Sequence, residues 1–421
     1  MADIKLFNSS LNGEVTVCSS KSVAHRAIIT GALACRDIKI YNVIYSKDIL
    51  ATIDALKVLG ADITYDGSTV IIKKSNILKN SSLTFNANES GSTLRFLIPV
   101  FVALGNETKF LGEGRLPKRP LDDYFEIFDK EGIFYERGED YLPLKTKGTF
   151  TGDTFFVKGN VSSQFITGLM LSAIVRDREI TIKITTPLQS RPYVYITKKV
   201  LEDFGHSVKI SDNTITVKKG SKDIDAYTVE NDWSQAAFFL SGGVMSGDVT
   251  LCDMNLSSAQ GDKEIVEILK NMGAKIEIND GKIRAKKSEL YGVKIDVSQI
   301  PDLVPILSVL GAYAKGETLI YNAARLKIKE SDRILSSKKM LESTGVSVET
   351  GEDYIKIIGK GTFLNGKIDS FSDHRIVMAS AMIGTQTENL IIKNYKAVEK
   401  SYPEFFSDYF KLGGKGEVIN E

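Results

Sequence analysis

The sequence predicts an α/β protein of two bodies, each assembled from three copies of one repeating unit. Two series of positions and one gap predict this arrangement. The order amphipathic helix, glycine, strand recurs at LKVLGADI, FDKEGIFY, LEDFGHSV, LKNMGAKI, LESTGVSV and FKLGGKGE, which places Gly60, Gly132, Gly205, Gly273, Gly345 and Gly413 at intervals of 68 to 73 residues. Apolar helices open near Ser22, Gly91, Ser163, Trp233, Leu303 and His374, at intervals of 69 to 72 residues. Two independent series with one period are the mark of a repeat architecture. The gap lies at the end, where only a short tail follows Gly413 and the sixth copy lacks its last elements.

Each copy reads as an apolar helix, a turn and a strand, an amphipathic helix, a capping glycine and a hairpin. The first helix opens in SSKSVAHRA (19–27), where Ser20 or Ser22 suits the N-cap and Ala24, Ala27, Ile28 and Leu33 supply the apolar side. The glycine after each second helix suits the left-handed conformation that ends one. The hairpin is clearest in GADITYDGSTVIIKK (60–74) and GAKIEINDGKIRAKK (273–287), with apolar residues alternating around Asp-Gly. The hairpin missing from the sixth copy has a donor in IKLFNSSLNGEVTV (4–17). With these N-terminal strands completing the last copy, one body runs over 20–229 and a discontinuous one over 1–19 and 230–421. The chain then crosses twice, near 18–20 and 229–232, and such a pair of crossings suits a hinge. An open solenoid would need polar capping repeats at its ends, against which the tail-to-head completion argues.

A chain of 421 residues, 43% hydrophobic, is long enough for two or three ordinary cores. Its 54 Lys and Arg balance 53 Asp and Glu, which argues against nucleic-acid or membrane-surface binding. Cys18, Cys35 and Cys252 form neither a CxxC pair nor a disulfide framework. The start, MADIKLFNSS, has no basic-then-apolar signal pattern, and no apolar run is long enough to span a bilayer. A cytoplasmic protein is expected, monomeric, with small molecules as partners and neither nucleic acid nor membrane.

The cations sit in an unexpected place. A helix N-terminus carries partial positive charge, yet Lys21 and Arg26 lie at the opening of the first helix, where they fit only opposite an anion. Equivalent starts carry similar groups: Gly91, Ser92 and Arg95 in ESGSTLRF, Ser162, Ser163 and Gln164 in VSSQF, Asp302 in IPDLVP, and Asp373, His374 and Arg375 in SDHR. Second-helix starts hold Arg119 in PKRP, Ser190 and Tyr193 in QSRPY, Lys327, Lys329, Glu330 and Arg333 in KIKESDR, and Lys400 in EKSYPE. Each has an ordinary reading: Arg95 and Arg375 could pair with Glu89 or Asp373, SSQ could be a plain cap, and KESDR a charged surface turn. Recurrence at equivalent positions favours a shared site for anions, with too many cations for one carboxylate and enough for two anionic ligands. GxGxxG, GxxxxGK[ST], HExxH and GxSxG are all missing. His206 reads as structural, His25 suits either role, Trp233 fills a core or the hinge, and three histidines without clustered cysteines make no metal site.

In this order, SSKSVAHRA, ESGSTLRF, LPKRPLDDY, VSSQFITGL, SRPYVYIT, VENDWSQAAFFL, IPDLVPIL, KIKESDRI, SDHRIVMA and EKSYPEFF resemble the enolpyruvyl transferases, in particular their shikimate 3-phosphate branch. The resemblance spans essentially the whole chain. It implies a two-domain inside-out α/β barrel, each domain built from three βαβαββ repeat units. It also implies transfer of the enolpyruvyl group of phosphoenolpyruvate to the 5-hydroxyl of shikimate 3-phosphate by addition–elimination, with release of phosphate and with neither metal nor organic cofactor.

By the same resemblance, Lys21 touches both ligands, and Ser22 and Arg26 hold the shikimate ring and its carboxylate. Ser162, Ser163 and Ser190 bind the 3-phosphate side, with Gln164 between the substrates, Tyr193 beside them, and Asp302, Arg325 and Lys329 also facing shikimate 3-phosphate. Gly91, Arg119, Glu330, Arg333, His374, Arg375 and Lys400 hold phosphoenolpyruvate. Asp302 accepts the proton of the 5-hydroxyl, while Glu330 and Lys21 handle the proton at the methylene carbon. The chain departs from the family's usual residues at Glu89, Ser92, Phe96 and Arg325. The sister branch, which uses UDP-N-acetylglucosamine, carries a cysteine in its mobile loop, and GEGRLPKRP has none. A repeat protein that merely binds anions would not need Asp302 and Glu330 among the cations.

Overall fold

All six glycines of the repeat series have positive φ, from 66° at Gly132 to 99° at Gly273. Each therefore ends a helix in the left-handed region, where a Cβ is unfavourable. In the computed structural model, which describes residues 2–420, twelve α-helices follow in pairs. The first three copies contain α1 (Lys21–Leu33) and α2 (Lys47–Val58), α3 (Gly91–Ala103) and α4 (Asp122–Glu131), then α5 (Ser163–Ser172) and α6 (Arg191–Asp203). The last three contain α7 (Trp233–Ser246) and α8 (Ile265–Asn271), α9 (Val304–Tyr313) and α10 (Arg333–Glu342), then α11 (His374–Gly384) and α12 (Phe405–Lys411).

Odd-numbered helices are apolar nearly all round and are correspondingly buried; every residue of α7 is inside. Even-numbered ones are two-faced: α6 buries Val194, Ile196, Val200 and Leu201 and turns Tyr195 and Lys199 outward. Polar caps fix the starts. Ser20 caps α1 by accepting from the Val23 amide, Ser90 caps α3, Ser162 caps α5, Asp232 caps α7 and Asp373 caps α11.

The described residues form six four-stranded sheets, one per copy. In the second copy, Ser82–Asn86 pairs parallel with Glu107–Leu111 across the α3 crossover, and the hairpin Phe134–Arg137 and Leu144–Lys147 adds to it antiparallel. By backbone contacts the chain divides into two compact units: an inserted one, Ser19–Glu230, and a discontinuous one that joins the chain up to Cys18 with the chain from Asn231. Within the discontinuous unit the apolar helices α7, α9 and α11 pack on one another, which leaves their sheets outside.

Residues 4–17 do not form the expected hairpin. Asp3–Phe7 lies between Leu390–Lys393 and Lys415–Asn420 in the sheet of the sixth copy. Asn12–Val15 instead pairs parallel with Asp248–Leu251 in the fourth. The tail after Gly413 is thus itself a strand, and the chain is open inside the last hairpin. A hairpin within 4–17 would leave the fourth copy without its parallel first strand. The inserted unit closes in the same way, with Ala226–Thr228 beside Ile38–Tyr41. At the crossings, the Ser20 amide donates to the Glu230 carbonyl at 2.8 Å and the Asp232 amide to the Cys18 carbonyl at 3.0 Å. No helix of the described residues is long and apolar enough to cross a membrane.

Candidate active site

In the inserted unit the predicted groups gather at the starts of α1, α3, α5 and α6. Lys21, the first residue of α1, meets Asp48 of α2 at 2.8 Å. Arg26, one turn on, is 2% exposed. Its Nε donates to Thr197 Oγ1 at 2.7 Å, Nη1 to the Ser22 carbonyl at 2.6 Å, and Nη2 to Thr167 Oγ1 and the Tyr193 carbonyl, both at 3.2 Å. All four acceptors are neutral. Burial pushes the guanidinium down to about 9, with Tyr193 opposing, so Arg26 keeps its charge at neutral pH. No carboxylate of the described residues pairs with it, which is costly for a buried charge unless an anion arrives.

The start of α3 is built for close approach. A Cβ on Gly91 would lie 2.5 Å from Arg119 Nη1, so only glycine lets that guanidinium lie over the helix start. Arg95 donates to Gln164 Oε1 at 2.8 Å, and Gln164 Nε2 to Ser92 Oγ at 3.1 Å, which ties α3 to α5. Arg95 thus bonds to Gln164, and also to the Pro120 carbonyl. Ser163 is buried in the first turn of α5. Ser190 stands at φ 52°, a left-handed conformation unusual for serine, and its hydroxyl does not cap α6. Tyr193 and Ser22 are half-buried beside Arg26.

In the discontinuous unit the charges pair with one another. Arg333, 1% exposed, donates to Asp302 at 2.6 Å, to Glu330 at 2.9 Å and from Nε to Asp373 at 2.9 Å. Burial opposes its charge, but these three carboxylates hold it well above the ordinary arginine value. Asp302 also takes Arg375 at 3.1 Å and has Lys329 at 3.6 Å. Burial and the neighbouring guanidiniums push Lys329 down to about 8, against Asp302. Burial would raise Asp373, but Arg333 keeps it below its usual value. His374 is buried with Nδ1 3.9 Å from Asp373. Arg325 donates to the Ser298 carbonyl at 2.6 Å, and Lys400 to the Ser372 carbonyl at 2.9 Å. Lys327 is exposed and does not join the cluster.

Two carboxylates here were missed by sequence reasoning. Asp48 opposes Lys21, and Asp262 is buried and hydrogen-bonded to the Ser234 hydroxyl. Burial, then the charge of Asp302, pushes Asp262 up to about 7, with Arg375 opposing. Both stand at second-helix starts, in the first and fourth copies, so the repeat itself was the signal that would have found them. Of the other histidines, buried His25 shares a 2.7 Å bond with Thr52 Oγ1, while His206 accepts from the Gly220 amide and burial pushes it down to about 4. Among the described residues no group of three or more His, Cys, Asp or Glu is placed to hold a metal ion.

The profile of the EPSP synthase (3-phosphoshikimate 1-carboxyvinyltransferase) family matches residues 7–409. The chain is 44% identical over 435 residues to the 3-phosphoshikimate 1-carboxyvinyltransferase of Clostridium novyi (strain NT), covering 100% of this chain and 99% of that one. It is 40% identical to the protein of that name from Clostridioides difficile (strain 630), with the same coverage over 435 residues. EPSP synthase from Acinetobacter baumannii superposes with a TM-score of 0.82 at 27% identity, covering 100% of both chains. The enolpyruvyl transferase NikO from Streptomyces tendae, at 16% identity and TM-score 0.80 over 100% of this chain and 99% of that one, shares the fold. The expected α/β fold of repeated units is therefore the fold of these proteins, and a match over nearly the whole length shows that the chain belongs to the EPSP synthase family.

Proposed function

We propose that the protein transfers the enolpyruvyl group of phosphoenolpyruvate to the 5-hydroxyl of shikimate 3-phosphate and releases phosphate. The observation that carries this reading is Asp302, a carboxylate within reach of Lys329, Arg333 and Arg375. Binding anions alone calls for no acid among those cations; removing a hydroxyl proton does.

In this reading, Arg26 and Ser22 hold the shikimate ring and carboxylate, and Ser162, Ser163 and Ser190 take the 3-phosphate with Arg325 and Lys329. Gly91, Arg119, Arg333, His374, Arg375 and Lys400 receive phosphoenolpyruvate, with Lys21, Gln164 and Tyr193 between the ligands. Glu330 gives a proton to the methylene carbon, which makes the adjacent carbon electrophilic. The 5-hydroxyl oxygen then bonds to that carbon as Asp302 accepts its proton. The tetrahedral adduct collapses when the new methyl group returns a proton and the carbon–oxygen bond to phosphate breaks. The cations stabilise charge on the phosphate throughout, and the fixed helix starts supply orientation.

The paired strand crossings near 18–20 and 229–232 serve as the hinge between domains 1–19 with 230–421 and 20–229. Both substrates together should then lower the radius of gyration in small-angle scattering, and an unchanged radius would count against the hinge. The same reading makes the protein a cytoplasmic monomer.

The test of the reaction is phosphate release from shikimate 3-phosphate and phosphoenolpyruvate in a chelator-treated buffer. Release is expected. Its absence, with release instead from UDP-N-acetylglucosamine and phosphoenolpyruvate, would assign the chain to the sister branch.

A further inference from the structure

Arg26 sits against an aromatic ring that the reaction does not use. Its Cζ lies 4.8 Å from the ring centroid of Phe96, which is 1% exposed on α3. The ring of His25, the residue before Arg26, also meets Phe96, edge-on, with centroids 6.2 Å apart and planes at 87°. His25 is anchored through Nδ1 to Thr52 Oγ1 at 2.7 Å, and Thr52 to Thr93 Oγ1 at 2.6 Å, on the same helix as Phe96. Burial, reinforced by Lys21 and Arg26, pushes His25 well below its ordinary value, so the ring that grips Phe96 is neutral.

This arrangement solves a conflict. A buried guanidinium needs electrostatic compensation before its ligand arrives, and a carboxylate partner would have to be displaced by that ligand. An aromatic face compensates a cation from above its plane and leaves the in-plane N–H edge open. Four hydrogen bonds occupy four of the five N–H groups of Arg26, and one on Nη1 remains.

We propose that Phe96, gripped by His25, is a positioning residue that sets the plane in which Arg26 presents its remaining N–H and its charge to the carboxylate of shikimate 3-phosphate. The proposal rests on the reading that Arg26 binds that carboxylate.

The experiment measures the Kd of shikimate 3-phosphate by calorimetry and the KM of both substrates for Phe96→Leu, Phe96→Tyr, Arg26→Gln and the double variant Arg26→Gln/Phe96→Leu. Loss of the aromatic face should weaken shikimate 3-phosphate binding about tenfold, with phosphoenolpyruvate KM moved less than about twofold. Phe96→Tyr, which keeps the face, should retain affinity. Phe96→Leu should have no effect once Arg26→Gln has removed the cation. Thermal melting reports whether each variant is folded, and Phe96→Met replaces any leucine variant that is not. An equal rise in both KM values, or a leucine effect that persists without the cation, overturns the proposal. Unchanged affinity in Arg26→Gln overturns the carboxylate reading beneath it.

Discussion

Arg333 Nη1 lies 2.6 Å from Asp302 Oδ1 and joins the first residue of α10 to the turn that opens α9. The two residues belong to one copy, yet the same guanidinium also reaches Asp373 in the next copy, at 2.9 Å. One buried cation therefore joins the starts of α9, α10 and α11. Asp302→Asn preserves the size of the side chain and removes the proposed base. Turnover should fall by about two to four orders of magnitude, with both KM values within a few-fold. Steady-state phosphate release measures both, and near-normal turnover would remove Asp302 from the proton-transfer step.

Asp262 links stability to pH. Its carboxyl is buried, with Ser234 donating to it and Asp302, Asp232 and Arg375 as the charges that act on it. Pushed up to about 7 from an ordinary 3.8, it holds a proton in the folded protein that the unfolded chain has already released. Stability from this group is therefore complete below about pH 4 and lost as the pH rises to about 7. Asp262→Asn lacks that loss. Its melting temperature relative to the parent protein should climb between pH 4 and pH 7 and then level off. A flat or falling difference would contradict the assignment.

Ser190 combines a strained backbone with a proposed phosphate contact. At φ 52°, glycine would adopt the conformation freely while alanine would not. Ser190→Gly should be about 1 kcal/mol more stable than Ser190→Ala in denaturant unfolding. Both variants lose the hydroxyl, so both should raise the KM of shikimate 3-phosphate by about tenfold. A difference in KM between them larger than their difference in stability would place the effect in the backbone rather than the hydroxyl.

How much of the site was legible from residues depended on whether the signal was local. The starts of α1, α3, α5, α7, α9 and α11 fall within one residue of the expected positions, because N-caps and apolar periodicity act over one or two turns. Arg26, Asp302 and Arg333 stood out because cations or acids recurred at those starts. Asp48 and Asp262 escaped, although the repeat placed them at equivalent positions, because only four of the six second-helix starts showed a cation or hydroxyl motif. The pairing of Arg375 with Asp302 could not be read at all, since the two lie a full copy apart.

Local chemistry in the chain was enough to determine six copies of one unit, the glycines that end their second helices, and the polar groups at their starts. Each of those depends on residues only a few positions apart. Tertiary structure alone decided that Asp3–Phe7 and Asn12–Val15 join different sheets, that Arg333 lies among three carboxylates, and that Arg26 meets no carboxylate among the described residues and rests on Phe96. Strand register and the pairing of buried charges are settled by which distant surfaces meet, and that is fixed by the packing of the whole unit.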